Sequence, residues 1–215
     1  MQADREDKKR EEILDRATAL FFERGISSLS MEAIAAGIGI SKATLYKYFP
    51  GKEILGGAAI ERRIDLLAAR LDALDTSSTA NYPERFQASF HAIDETIRPA
   101  IPVFMRDIMN DAPWLWAKIQ SLRAGKVFPR LARLITEGRE LGYVRSDLDA
   151  FVAATLTISI AEQIARPEFL LSLPIPPNQA LQTVIRVLLT GILSEEGRQL
   201  FDAVHFGSQD PMEET

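Results

Sequence analysis

The residues best equipped for chemistry lie between Ser30 and Lys52. Ser41-Lys42-Ala43-Thr44-Leu45-Tyr46-Lys47-Tyr48-Phe49 interleaves hydroxyls, ammonium groups and phenols with apolar side chains. Short polar side chains reach base edges, whereas lysine and tyrosine hold phosphates, so such a run suits nucleic acid. Residues 39–52 carry three bases (Lys42, Lys47 and Lys52) and no acid, although the whole chain has 25 Lys and Arg against 30 Asp and Glu, a net charge of −5. Divided after Gly56, the first part holds nine bases and nine acids; the remainder holds sixteen and twenty-one. A global deficit of positive charge thus conceals a local basic run. Other chemistries find few residues. The chain has no cysteine, which excludes disulfides, thiolate nucleophiles and cysteine-ligated zinc. His91 and His205 are its only histidines, leaving little for metal sites or general acid–base work. His91 stands four residues before Glu95, the spacing of a helix-surface pair. Glu195-Glu196 reads as solvated charge at a helix end. No cofactor and no metal are expected.

The elements that position the basic run all read as helices. Ile13, Leu14, Ala17, Leu20 and Phe21 fall at helical spacing, with Gly25 as a stop. Ser30 is placed to cap a short second helix, Gly39 to supply a positive-φ turn, and Ser41 to cap a third helix ending at Pro50-Gly51. Two short helices joined by a glycine-containing turn make the helix-turn-helix pattern. Its outer faces carry Lys42, Thr44, Tyr46, Lys47 and Tyr48, while Ile40 and Leu45 face inward. Spacing alone also permits a small helical hairpin with a solvated lysine face.

A long helix follows from Lys52 to Leu74, then the polar loop Asp75-Thr76-Ser77-Ser78-Thr79. Beyond it, helical stretches are punctuated by Pro99, Pro102, Pro113 and Pro129, the last expected to mark a kink or a junction. Two further helices are expected over 147–165 and 178–193. No alternating strand pattern persists, so the fold class is all-α. The most apolar stretch, Phe151 to Ile164, is interrupted by Glu162 and is well short of the ~20 residues that span a bilayer. The N-terminal dozen has no apolar core of a signal peptide, so a cytoplasmic protein without membrane contact is expected.

Residues 10–56 resemble the DNA-binding domain of the tetracycline-repressor (TetR) family of bacterial regulators. The likeness rests on Ile34-Ala35, on Gly39-Ile40-Ser41-Lys42-Ala43-Thr44-Leu45-Tyr46-Lys47-Tyr48-Phe49 and on Lys52-Glu53, with the first helix fitting through Ile13 to Gly25. Gly37-Ile38 departs from the longer helix-forming stretch usual there. The resemblance implies a three-helix helix-turn-helix domain over 1–56 and a larger helical ligand-binding and dimerisation domain over 57–206; the polar composition of 207–215 reads as a tail. The resemblance also implies that Ser30 and Lys42 contact the DNA backbone, Thr44 and Tyr46 the backbone or a base edge, and Tyr48 and Lys52 phosphate; Tyr48 could equally serve the small domain's own core.

By the same resemblance two C-terminal helices form a four-helix bundle with a second copy, through Leu156, Ile160, Leu181, Val184, Ile185, Leu188 and Ile192. An intrachain core is the alternative for these apolar positions. A small, largely apolar effector would sit among Phe86, Phe90, Met105, Met109, Trp114, Trp116 and Phe128, although aromatic and methionine side chains more often fill ordinary cores. The function implied is a ligand-responsive repressor that binds double-stranded operator DNA as a homodimer and is not an enzyme. The competing readings are a helical protein-interaction module without DNA binding and, more remotely, an enzyme.

Overall fold

The computed structural model describes residues 2–76, 80–100, 103–104, 107, 112, 114–164 and 166–202. The chain is all-α. It forms two compact units, Met1–Leu66 with Pro99–Ala124, and Leu67–Arg98 with Gly125–Thr215. The first unit therefore contains more than the expected 1–56 segment. Residues 203–215, including His205 and the polar tail, lie outside the described residues.

In the first unit, α1 (Gln2–Arg24) starts well before the apolar stripe that begins at Ile13. Its leading residues contain no glycine or proline, and Lys9–Glu12 (3.0 Å) and Arg16–Glu12 (2.8 Å) pair at helical spacing. Ile13, Ala17, Leu20 and Phe21 are buried against Met31, Ile34, Ala35 and Ile38 of α2 (Met31–Ile38). Helix α2 runs intact through Gly37, where an added Cβ would lie 3.0 Å from Leu20 Cδ2, so its missing side chain admits the close approach of α1. Helices α3 (Lys42–Tyr48) and α4 (Lys52–Asp75) follow, with Leu45, Phe49, Leu55 and Ala59 fully buried. Helix α6 (Trp114–Leu122) belongs to the same unit and lays Trp114 against α4. A Cβ on Gly56 would meet Ile26 at 3.2 Å and the Trp114 ring at 3.3 Å, so close packing accounts for a small residue there.

The second unit takes over α4 from Leu67 and adds α5 (Tyr82–Ile97), α7 (Phe128–Glu140), α8 (Ala150–Ile164), α9 (Pro167–Ser172), α10 (Pro177–Ile192) and α11 (Glu195–Asp202). Its core joins Tyr82, Phe86 and Phe90 of α5 to Leu134 and Ile135 of α7, Val144, Leu189 and Leu193. Arg85 pairs with Asp75 and Glu137, and Arg130 with Asp72, tying the end of α4 to α5 and α7. The break expected at Pro129 takes the form of a wide π turn over Arg123–Val127, with Pro129 in the first turn of α7. Helix α8 begins at Ala150 rather than Asp147, because the Asp149 carboxylate accepts from the Val152 N–H at 2.9 Å and so caps the helix. Helix α10 stops one residue short of Leu193, which leaves the helix to pair with Val144 in an isolated β-bridge.

Candidate nucleic-acid interface

The turn between α2 and α3 fixes the angle at which α3 is presented. Gly39 adopts φ +75°, a left-handed conformation that glycine takes without steric cost. Its N–H donates to Ala36 O at 3.2 Å, and the next N–H, of Ile40, donates to Ala35 O at 2.9 Å. These two bonds make the Schellman closure of a helix C-terminus. Arg16 of α1 adds a bond from Nη1 to Ile38 O at 3.3 Å. Ser30 caps α2 by accepting from the Ala33 N–H at 3.1 Å, so its hydroxyl has a structural partner at the exposed start of that helix.

Helix α3 opens with Ser41, whose Oγ accepts from the Thr44 N–H at 3.1 Å and lies 2.8 Å from Thr44 Oγ1. The cap thereby orients the half-buried Thr44 hydroxyl. Leu45 is fully buried beneath the helix, while Lys42, Tyr46 and Lys47 are exposed. The Lys42 ammonium lies 5.6 Å from the Tyr46 ring centroid and pairs with Glu32 of α2. Lys47 Nζ is 2.8 Å from Glu6 Oε1, and Tyr48 donates from its hydroxyl to Glu6 Oε2 at 2.6 Å. Lys52 donates from Nζ to Ser27 O at 3.1 Å, which draws it onto the loop preceding α2.

The Lys42–Glu32 and Lys47–Glu6 pairs on this surface are solvent-exposed. Glu32 is held below its ordinary carboxyl value chiefly by the Lys42 hydrogen bond, and Glu6 chiefly by Lys47 and then Tyr48. Lys42 and Lys47 are correspondingly raised by Glu32 and Glu6, and the Glu6 hydrogen bond raises Tyr48. Exposed pairs contribute little net stability, so an incoming phosphate can replace the carboxylate at small cost. The surface is a set of positioned cations and hydroxyls held by exchangeable partners. Glu6 and Glu32 are participants that the residue pattern did not nominate. Glu6 sits in a run of mixed charge, and its partners lie 41 and 42 residues away.

Residues 13–59 match the family model described as bacterial regulatory proteins, tetR family. Over 199 residues the chain is 30% identical to the HTH-type transcriptional repressor KstR2 of Mycobacterium tuberculosis (strain ATCC 25618 / H37Rv), covering 87% of this chain and 94% of that one. The chain belongs to the TetR family. The solved structure of the M. tuberculosis ketosteroid transcriptional regulator KstR2 is similar to this TetR-family chain with a TM-score of 0.52 and 28% identity, over 87% of this chain and 96% of that one. The fatty acid degradation regulator FadR from Bacillus halodurans shares the fold, with a TM-score of 0.60 and 19% identity over 85% of this chain and 95% of that chain. This TetR-family protein is a DNA-binding transcriptional regulator.

The remaining residues nominated from sequence fall in both units. Phe86 and Phe90 are buried in the second unit's core, while Trp114 and Trp116 are half-buried in the first. Phe128 is half-buried at the start of α7; Met105 and Met109 lie outside the described residues. Leu156 and Ile160 are exposed on α8, joined there by Phe151 and Val152. Val184, Leu188 and Ile192 of α10 are half-buried, with Ile192 packed against the core, and Val187 is exposed. The side chains of Leu181 and Ile185 lie outside the described residues. His91 Nε2 is 2.9 Å from Glu95 Oε1, the surface pair its spacing predicts.

Proposed function

We propose that this regulator is a homodimeric repressor that grips a palindromic operator through α3 and lets go when a small, largely apolar effector binds. The observation carrying the dimer is the apolar face left open by α8 and α10. Phe151 is 77% exposed, Leu156 54% and Val187 65%. Side chains this large and this open are best covered by a second copy, and α8 already packs against α10 within the chain. Two-fold pairing also gives each half of a palindrome its own α3, which compensates for the small grip of a single helix-turn-helix.

On the DNA side, Thr44 and Tyr46 meet base edges or backbone, and Ser30, Lys42, Tyr48 and Lys52 hold the backbone. Lys42 and Tyr48 exchange their carboxylate partners for phosphate as they dock. The effector lies in the first unit, near the half-buried Trp114 and Trp116. Helix α4 begins directly after the helix-turn-helix and continues into the second unit, so an effector that moves α4 alters the presentation of α3. KstR2 is described as a ketosteroid transcriptional regulator, which favours a compact apolar body for the effector here. Among the described residues no helix is long and apolar enough to cross a membrane. The cytoplasm, where the operator is, is the assigned location, and transcriptional control rather than catalysis is the assigned role.

Selection of tight-binding duplexes from a random library by the full chain tests the proposal. Recovery of a palindrome, with two chains per duplex by sedimentation, is expected. A non-palindromic consensus bound by one chain would overturn the dimer.

A further inference from the structure

Arg63 stands apart from the other cations of the first unit. Its neighbour Arg62 bonds Asp15 at 3.1 Å and Glu11 at 3.0 Å, and Lys118 bonds Glu61 at 3.0 Å. The Arg63 Nε–H is buried and has no hydrogen-bond partner among the described residues. The guanidinium lies 5.2 Å from the Phe22 ring centroid, and Phe22 meets Phe104 edge-on at 4.9 Å. A ring face attracts a cation but cannot accept a planar N–H in the way a carboxylate does, so the donor remains unsatisfied. Unsatisfied buried donors are rare in folded proteins, and one on a charged group points to a missing acceptor.

We infer that Arg63 is the recognition group for a carboxylate on the effector, whose apolar body packs on Phe22 and Phe104. It rests on the effector-responsive function proposed above and specifies the effector's chemistry as an amphipathic monocarboxylate. A carboxylate accepts two parallel bonds from the guanidinium fork, a match that neither a neutral ester nor an alcohol reproduces. The location also supplies a route to DNA. Phe104 touches Phe22 near the end of α1, and Asp107, three residues further on, is fully buried. The Asp107 carboxylate accepts from the Ile26 N–H at 2.5 Å, the Ser27 N–H at 3.3 Å and the Ser27 hydroxyl. Phe104 thus holds α1 through its ring, and Asp107 holds the turn leading into α2 through its carboxylate. An effector seated at Arg63 loads both attachments.

The test uses the full chain, tryptophan fluorescence from Trp114 and Trp116, and release of a selected duplex. The probes are straight-chain carboxylates of four to twelve carbons and a 3-oxo steroid 17-carboxylic acid, each paired with its methyl ester. At least one acid is expected to bind about ten- to a hundredfold more tightly than its ester. Arg63→Met should erase that preference by weakening the acid alone, and Arg63→Lys should restore part of it. Should Arg63→Met fail to fold, the acid–ester comparison in the parent and Arg63→Lys decide. Acids and esters that bind alike, or that both fail to bind, overturn the role of Arg63, as does an unchanged acid preference in Arg63→Met. An ester that releases DNA at the same concentration as its acid leaves effector control standing while the carboxylate falls. An acid that binds through Arg63 yet never releases DNA does the reverse.

Discussion

Thr44 carries the sharpest expectation for an individual side chain. Its Oγ1 lies 2.8 Å from Ser41 Oγ, which holds the hydroxyl at the opening turn of α3. Thr44→Ala keeps the Ser41 cap, since the bond from the Thr44 N–H survives. With Thr44 proposed as a base-edge contact, the substitution should cost about 1–3 kcal/mol on the operator and leave non-specific affinity unchanged, as measured on operator and scrambled duplexes. Glu6 acts in the opposite direction. Its carboxyl is lowered chiefly by Lys47 and then by Tyr48, so the pairing is complete above the ordinary glutamate range and is lost as pH falls through the lowered value. Removing that charge frees two phosphate-seeking groups. Glu6→Gln should therefore tighten DNA binding by about two- to tenfold at low salt, with the gain shrinking as salt is raised. Fluorescence anisotropy across a salt series measures it, and an affinity that fell would place Glu6 among the DNA-supporting residues.

The α2–α3 turn is where element geometry becomes recognition. Gly39→Ala forces a Cβ into a left-handed backbone conformation, at a cost of about 1–2 kcal/mol. Thermal denaturation should show a Tm lower by about 2–8 °C for a chain of this size. Gly39, the Ser30 and Ser41 caps and buried Leu45 were all readable from sequence, because each depends on neighbours within a few residues. Helix α1 was readable only from Ile13, since its charged beginning has no apolar stripe. The contacts of Glu6 with α3, of Lys52 with Ser27 and of Asp107 with Ile26 and Ser27 were not readable. Their partners are 25 to 81 residues apart, and a lone charged residue carries no mark of its distant acceptor or donor. The aromatic residues of the middle helices were ambiguous for another reason. A phenylalanine that fills a core and one that lines a site have the same helical spacing, and Phe86 and Phe90 pack in the core.

For the assembled regulator, α8 supplies the decisive substitution. Leu156 is 54% exposed in the protomer, so Leu156→Glu adds no buried charge to the isolated fold. Across a dimer interface it places a carboxylate in apolar surroundings, weakening association by about thirtyfold or more, roughly 2 kcal/mol. Sedimentation should show monomers of unchanged helicity with weakened operator binding; dimers as tight as the parent would remove α8 from the interface. In the proposed dimer two copies of α3 read one DNA face together. Helix-turn-helix dimers dock half-sites about one turn, ~34–36 Å, apart or a multiple of it. Inserting five base pairs between the halves of the selected operator turns one half-site to the opposite face of the DNA. The measurement that decides the matter is the affinity of the parent protein for that duplex. A fall to the level of a single half-site is expected, and an affinity equal to that for the uninterrupted operator would contradict paired recognition by α3.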